Sequence, residues 1–183
     1  MERVKPLRAD GQRNRERLVA AAAELVGRDG AQASLEEIAR RAGVGSATLH
    51  RHFPSRQLLL EAVFRDGVAQ LCERAAVQPG EEPATRLATW LEEVTVYTAT
   101  HRGLAEALLT GPEALTAEEI CCSDMLLEVL DALVARASSA GAIQAGATSE
   151  DLMTLANAIA VANEDDPDTA RRVLRLALAG IRP

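Results

Sequence analysis

The chain has 183 residues, a length that predicts one or two globular domains, and its formal net charge is −7. Its composition, with 48% hydrophobic, 26% charged and only 2% aromatic residues, excludes a disordered chain. The charge is uneven: residues 1–57 hold 11 Lys and Arg against 7 Asp and Glu, whereas residues 58–183 hold 9 against 20, a distribution typical of a polyanion-binding head on an acidic body. No stretch approaches the ~18–20 apolar residues that span a bilayer, and the N-terminus has no apolar signal core, so we expect a cytoplasmic protein with no membrane partner.

Helical signals follow one another along the whole chain, and no segment alternates with the period of a strand. Residues 1–10 are interpreted as a terminal arm. Apolar residues then recur with helical spacing up to Gly30, which is expected to end the first helix. Ser34 and Glu37 form a capping box, in which each side chain reaches the other residue's N–H, and open a second, short helix. The other predicted helices cover residues 45–52, 55–77, 83–101, 103–110, 116–140, 148–163 and 167–180, which makes nine in all.

Residues 34–52 predict two short helices joined by a tight turn. Gly43 is expected to supply the positive φ that ends the first of them without strain. The second helix presents short polar residues first and basic or imidazole groups after them, as expected of a helix whose first residues meet base edges and whose end meets phosphates. The residues predicted to face inward are Ile38, Ala39, Val44 and Leu49, and those predicted to face outward are Ser46, Thr48, His50, Arg51 and His52.

The same segment resembles the TetR family of bacterial transcriptional regulators, in a form reminiscent of its actinobacterial members. The resemblance covers about residues 13–65. It implies an all-α fold, with an N-terminal three-helix head at residues 10–60 (helix-turn-helix at 35–53) and a C-terminal helical ligand-binding and dimerisation domain at residues 61–183. The residues that fall in register with the family pattern are Ile38-Ala39, Ala42-Gly43-Val44, Thr48-Leu49, His52-Phe53 and Ser55.

The resemblance implies a homodimeric DNA-binding regulator, a ligand-responsive repressor that binds a palindromic operator through the major groove. His50 replaces the family's phosphate-contacting tyrosine, which shortens the reach and makes the contact pH-sensitive. Gly45 replaces a serine, so the second helix loses a side-chain cap. The implied DNA-binding residues are Ser34, Ser46, Ala47, Thr48, His50, Arg51, His52 and Arg56, the first and last of them outside the second helix.

The last two predicted helices have broad apolar faces, which either form intramolecular core or pair with a second copy of the chain. A twofold dimer through residues 149–181 is favoured, because the two heads could then read a palindrome. The family's small-molecule pocket lies in the middle helices, where the structural alternative is that large side chains simply fill the core. The candidate pocket residues are Trp90, Tyr97, His101, Leu108 and Met125.

No metal site or cofactor is expected. The three cysteines form no Cys-x-x-Cys pair, and His50 and His52 point apart on a helix. Cys121 and Cys122 are interpreted as ordinary buried cysteines, with a redox sensor as the alternative. An enzyme is not expected, since no nucleophile–base set or Gly-rich phosphate loop is present. A helical adaptor whose basic head docks acidic partners, and an activator or an effector-free repressor, stay open as alternatives.

Overall fold

The computed structural model describes residues 5–75, 80–101, 103–104, 121–144, 146–164 and 166–180, with the side chains of 5–8 and 121–123 excepted. These residues form helices and no strand, which confirms the all-α prediction. None of the described helices is long and apolar enough to cross a membrane. The eight helices are α1 (Lys5–Asp29), α2 (Leu35–Ala42), α3 (Ser46–His52), α4 (Arg56–Arg74), α5 (Pro83–Thr100), α6 (Cys121–Ser139), α7 (Ser149–Ala162) and α8 (Pro167–Ala179).

Two predicted features fall outside the described residues. The predicted helix over 103–110 is described only at its first two residues, and residues 116–120 of the next predicted helix are not described. The predicted helix over 116–140 is represented by α6, whose first described residue is Cys121.

Helix α1 starts further upstream than the sequence suggests. Residues 1–10 were expected to form an arm, yet the helix begins at Lys5. Pro6 is compatible with this start, because a proline in the first turn of a helix lacks only an N–H that has no intrahelical partner. Gly30 follows the helix with a φ of 75°, as predicted.

The described residues form two compact units, with the boundary inside α4 between Asp66 and Gly67. The first unit contains α1, α2, α3 and the first part of α4. Its core is made of small and branched aliphatic side chains around one aromatic ring, that of Phe53. The buried residues that α1 contributes are Leu18, Val19, Ala21, Ala22, Leu25 and Val26, which include the predicted apolar repeat.

The second unit packs α6, α7 and α8 around α5, together with the last part of α4. Trp90 on α5 is completely buried, and its indole Nε1 donates a 2.9 Å hydrogen bond to the carbonyl oxygen of Leu71 on α4. Most of the apolar residues predicted for the last two helices lie in this core. They are Leu152, Ala156, Ile159 and Ala160 on α7, and Ala170, Leu174 and Leu178 on α8.

Side-chain caps open α7 and α8, close to the predicted helix starts at residues 148 and 167. Thr148 accepts a 3.1 Å hydrogen bond from the backbone N–H of Asp151. Asp166 accepts a 2.9 Å bond from the backbone N–H of Thr169, with Pro167 at the first helical position. The bonds from Thr169 also hold the pKa of the Asp166 carboxyl below its ordinary value. These caps satisfy backbone donors that a helix start otherwise leaves unpaired.

Gly67 lies within α4, where glycine costs ~1 kcal/mol relative to alanine in helix propensity. The structure gives the reason for it. A Cβ atom at Gly67 would overlap the hydroxyl and the ring of Tyr97 on α5. Close packing of α4 against α5 in the second unit therefore depends on the absence of a side chain at this position.

We expect Gly67→Ala to destabilise the protein by about 1–3 kcal/mol, the usual effect of overpacking a well-packed site. In a Tyr97→Ala background the same change should be neutral or stabilising, because only the helix-propensity gain remains. Urea denaturation followed by far-ultraviolet circular dichroism measures both. Equal effects of Gly67→Ala in the two backgrounds would contradict this account of the glycine.

Candidate nucleic-acid interface

The turn between α2 and α3 is built by local signals in the sequence. Ser34 caps α2 by accepting a 3.4 Å hydrogen bond from the N–H of Glu37. The second half of the predicted capping box differs, because the Glu37 carboxylate accepts a 2.8 Å bond from Arg40 Nε instead. Gly43 ends α2 with φ 66° and ψ 36°, and its N–H donates to the carbonyls of Ala39 and Arg40. This left-handed residue turns the chain into α3, as predicted.

One buried side chain sets the rotation of α3. Leu49 is 1% exposed and packs in the core of the first unit. The opposite side of the helix, with Ala47 and Arg51, therefore faces solvent; Ser46 and His50 are also exposed, and Thr48 and His52 are half-buried. Gly45 precedes the helix without a side-chain cap, also as predicted.

Phe53 anchors the end of α3. Its ring is 3% exposed, and the Arg15 guanidinium of α1 lies over it, with the Arg15 Cζ atom 5.2 Å from the ring centroid. An arginine at this distance makes a cation–π contact. The sequence does not reveal a role for Arg15, because the pairing of Arg15 with Phe53 depends on how α1 crosses α3.

Arg56 has an internal role that the sequence does not reveal. Its Nη1 donates hydrogen bonds to two backbone carbonyl oxygens in the α1–α2 connection, 3.1 Å to that of Ala31 and 2.6 Å to that of Ala33. The side chain thus ties the start of α4 to this loop. The assignment of Arg56 to a DNA phosphate stays a prediction, and the carbonyls compete for the same guanidinium.

Ion pairs neutralise other arginines of the first unit. Arg41 Nε donates a 2.7 Å hydrogen bond to Glu24 and so joins α2 to α1. The Arg40 guanidinium holds the pKa of the Glu37 carboxyl below its ordinary value. Both pairs are exposed, so each contributes little to stability. Their effect on the interface is to reduce the positive charge that α2 presents.

The candidate pocket residues have different environments. Trp90 is part of the core of the second unit. Tyr97 is half-buried against Gly67, and Met125 is 38% exposed. His101 is half-buried and belongs to the first unit, and Leu108 lies outside the described residues.

Neither a metal site nor a cysteine-based site is found among the residues that the structure describes. These residues contain no group of three His, Cys, Asp or Glu side chains that could hold a metal ion. The side chains of Cys121 and Cys122 lie outside them. Cys72 is half-buried, and its Sγ lies 3.8 Å from the carbonyl oxygen of Met125.

Comparison with known families matches both parts of the chain. The model described as bacterial regulatory proteins, tetR family, matches residues 18–63. The model described as transcriptional regulator SbtR-like, C-terminal domain, matches residues 82–183, which is more than half of the chain. No curated protein gives a significant match.

Solved structures with the same fold extend over nearly the whole chain. A TetR transcriptional regulator from Streptomyces coelicolor is 32% identical with a TM-score of 0.73, and the match covers 92% of this chain and 98% of that one. A TetR regulatory protein from Mycobacterium vanbaalenii is 31% identical with a TM-score of 0.72, over 97% and 100% of the two chains. The regulator FadR from Bacillus subtilis, solved with stearoyl-CoA, is 20% identical over 91% and 99%, and its TM-score of 0.61 shows a common fold alone.

Replacing Arg56 separates its internal role from a role at DNA. We expect Arg56→Ala to lower the free energy of unfolding by about 1.5–3 kcal/mol, since hydrogen bonds from a charged donor are lost. The control is Arg40→Ala, which removes only an exposed ion pair and should change the free energy of unfolding much less than Arg56→Ala. Urea denaturation followed by circular dichroism gives both values. A variant at Arg56 with parental stability but uniformly weak DNA binding would contradict the internal role.

Proposed function

The chain belongs to the tetR family of bacterial regulatory proteins and is a DNA-binding transcriptional regulator. From this premise we propose that it is a homodimeric, ligand-responsive repressor that binds a palindromic operator. The proposal places α3 in the major groove. The observation that carries it is the orientation of α3, with Leu49 buried, Ala47 and Arg51 exposed on the opposite side, and Ser46 and His50 also exposed.

The exposed face of α3 suits direct reading of DNA. Ser46, Ala47 and Thr48 are short, so the helix backbone can approach the base edges closely, and Ser and Thr hydroxyls can bond to bases of either type. Arg51 and His52 come one turn later, where a helix in the groove meets phosphates. Ser34 lies exposed at the start of α2 and is proposed to contact the backbone as well. Repression follows if the operator overlaps a promoter.

Thr48→Ala should change which DNA sequence is preferred, at a cost of about 1–3 kcal/mol at the affected base pair. The measurement is selection of bound duplexes from a random-sequence library by the parent and by the variant, followed by titration of the winners. Thr154→Ala is the matched control, because Thr154 is an exposed threonine on α7 in the second unit. The parent should select a palindrome. If the parent and Thr48→Ala select the same DNA sequences, Thr48 is not one of the residues that determine the preferred sequence.

Dimerisation is proposed to use the faces of α7 and α8 that point away from the core. Val161 is 61% exposed and Leu176 is 67% exposed. Ala158 lies one turn before Val161 on α7, and Ala179 lies one turn after Leu176 on α8, and both are exposed. Exposed apolar side chains on both helices of the pair favour this surface as a protein interface. A symmetric partner would cover it with the same face of its own chain.

Val161→Glu combined with Leu176→Glu should convert the protein from a dimer to a monomer, because two charges per chain would be buried at the interface without partners. Sedimentation equilibrium measures the mass, which for the parent should be twice the 19.5 kDa of one chain. Ala132→Glu, at an exposed position on α6, is the control and should stay dimeric. A parent that sediments as a monomer would contradict the dimer.

The proposed effector binds in the second unit and weakens operator binding. FadR, which shares this fold, is solved with stearoyl-CoA, and that compound is the first probe to test here. A ligand that binds the folded protein raises its melting temperature, and one that favours another arrangement of the heads releases the operator. Coupling of about 1–3 kcal/mol between the two sites is the usual scale. Loss of the operator complex without a shift in melting temperature would argue against an effector site.

A further inference from the structure

The arginines of the first unit divide into two groups by what they contact. Nine of them have described side chains, and six of the nine form a hydrogen bond or an ion pair within the protein. Five form ion pairs with carboxylates, and the sixth, Arg56, donates to backbone carbonyls. The five ion pairs are Arg13–Asp10, Arg28–Asp29, Arg40–Glu37, Arg41–Glu24 and Arg65–Glu61.

The other three arginines, Arg15, Arg17 and Arg51, have no hydrogen bond or ion pair with any residue in the described part of the chain, and all three are exposed. Each of the three lies on α3 or next to one of its ends. Arg51 is on α3 itself. Arg15 lies over the ring of Phe53, the residue that ends α3. The Arg17 guanidinium lies at the turn that leads into α3, with Nη2 2.5 Å from the place a Cβ atom of Gly43 would take.

We propose that Arg15 and Arg17 of α1 form a pair of phosphate clamps, one at each end of α3, that hold this helix in the DNA major groove. The proposal rests on α3 as the DNA-contacting helix and adds two residues on a different helix, to which neither the sequence nor the resemblance assigned a role. The ligand is the DNA sugar–phosphate backbone, and the contacts carry no sequence information.

The distances fit this geometry. A seven-residue helix is about 10 Å long. Phosphates border the major groove along its whole length, so cations at both ends of a helix that lies in the groove are within reach of them. Arginine suits the task because its planar guanidinium can donate two parallel hydrogen bonds to phosphate oxygens.

The absence of carboxylate partners matters as much as the position. An arginine in an ion pair must give up that pair before it binds a phosphate, so part of its binding energy is lost. Arg15 and Arg17 need no such exchange. The cation–π contact also holds the Arg15 side chain over Phe53, which reduces the rotamer entropy lost when it binds.

The test is the salt dependence of DNA binding by Arg15→Gln, Arg17→Gln and the double variant. The probe is a random-sequence duplex, titrated by fluorescence anisotropy between 50 and 200 mM NaCl, a range about that over which such contacts change affinity strongly. The logarithm of the DNA association constant falls linearly with the logarithm of the salt concentration, and each phosphate contact contributes about −0.9 to this slope. Each single variant should therefore reduce the magnitude of the slope by about 0.9 per bound subunit, or about 1.8 for a dimer. The selected operator should give the same decrease.

Arg13→Gln is the matched control, because Arg13 is an exposed arginine on the same helix that is already paired with Asp10. It should leave the slope at the parental value, and melting temperatures confirm that all variants are folded. Parental slopes for Arg15→Gln and Arg17→Gln, beside a lowered slope for Arg51→Gln, would overturn this proposal while leaving α3 at the DNA. If the parent binds no duplex at any salt concentration, the DNA-contacting role of α3 fails and the clamps fail with it.

Discussion

The burial of Leu49 is the contact on which the surface proposed to face DNA depends. Helix α3 has seven residues, well below the ~12–15 at which an isolated helix becomes even marginally stable in water. It exists because Leu49 inserts into the core of α1 and α2, and that same insertion decides which side chains remain in solvent. A rotation of α3 by one residue would turn His50 inward and Leu49 outward. The stability of α3 and the choice of its exposed side chains thus depend on one residue.

Local chemistry accounts for much of what could be predicted. The sequence reveals four features directly, because each depends only on residues that are close together in the chain. They are the cap at Ser34, the left-handed Gly43, the uncapped start at Gly45 and the cap at Asp166. Contacts between helices were not predictable in this way. Arg56 bonds to carbonyls more than twenty residues away, and the arginines that flank α3 come from α1. Spacing along one helix carries no information about such pairs.

The second unit illustrates how a core nearly free of aromatic residues is organised. Alanine and leucine allow α5, α6, α7 and α8 to approach closely, and the two large rings need special places. Trp90 is buried with a carbonyl partner for its indole, and Tyr97 occupies the space that Gly67 leaves open. The apolar residues of α7 and α8 divide between this core and solvent. The sequence predicted both apolar helices but could not assign each residue to the inner or the outer face, since that depends on how the helices cross.

The location of the two rings also determines what optical spectroscopy can detect in this protein. The chain has one tryptophan and one tyrosine, Trp90 and Tyr97, and both belong to the second unit. Near-ultraviolet absorbance and intrinsic emission therefore arise almost entirely from that unit, and the helix-turn-helix unit is nearly silent at these wavelengths. Unfolding of α2 and α3 could pass unnoticed in an emission scan. Agreement between emission and a backbone probe would then be a direct measure of whether the two units unfold cooperatively.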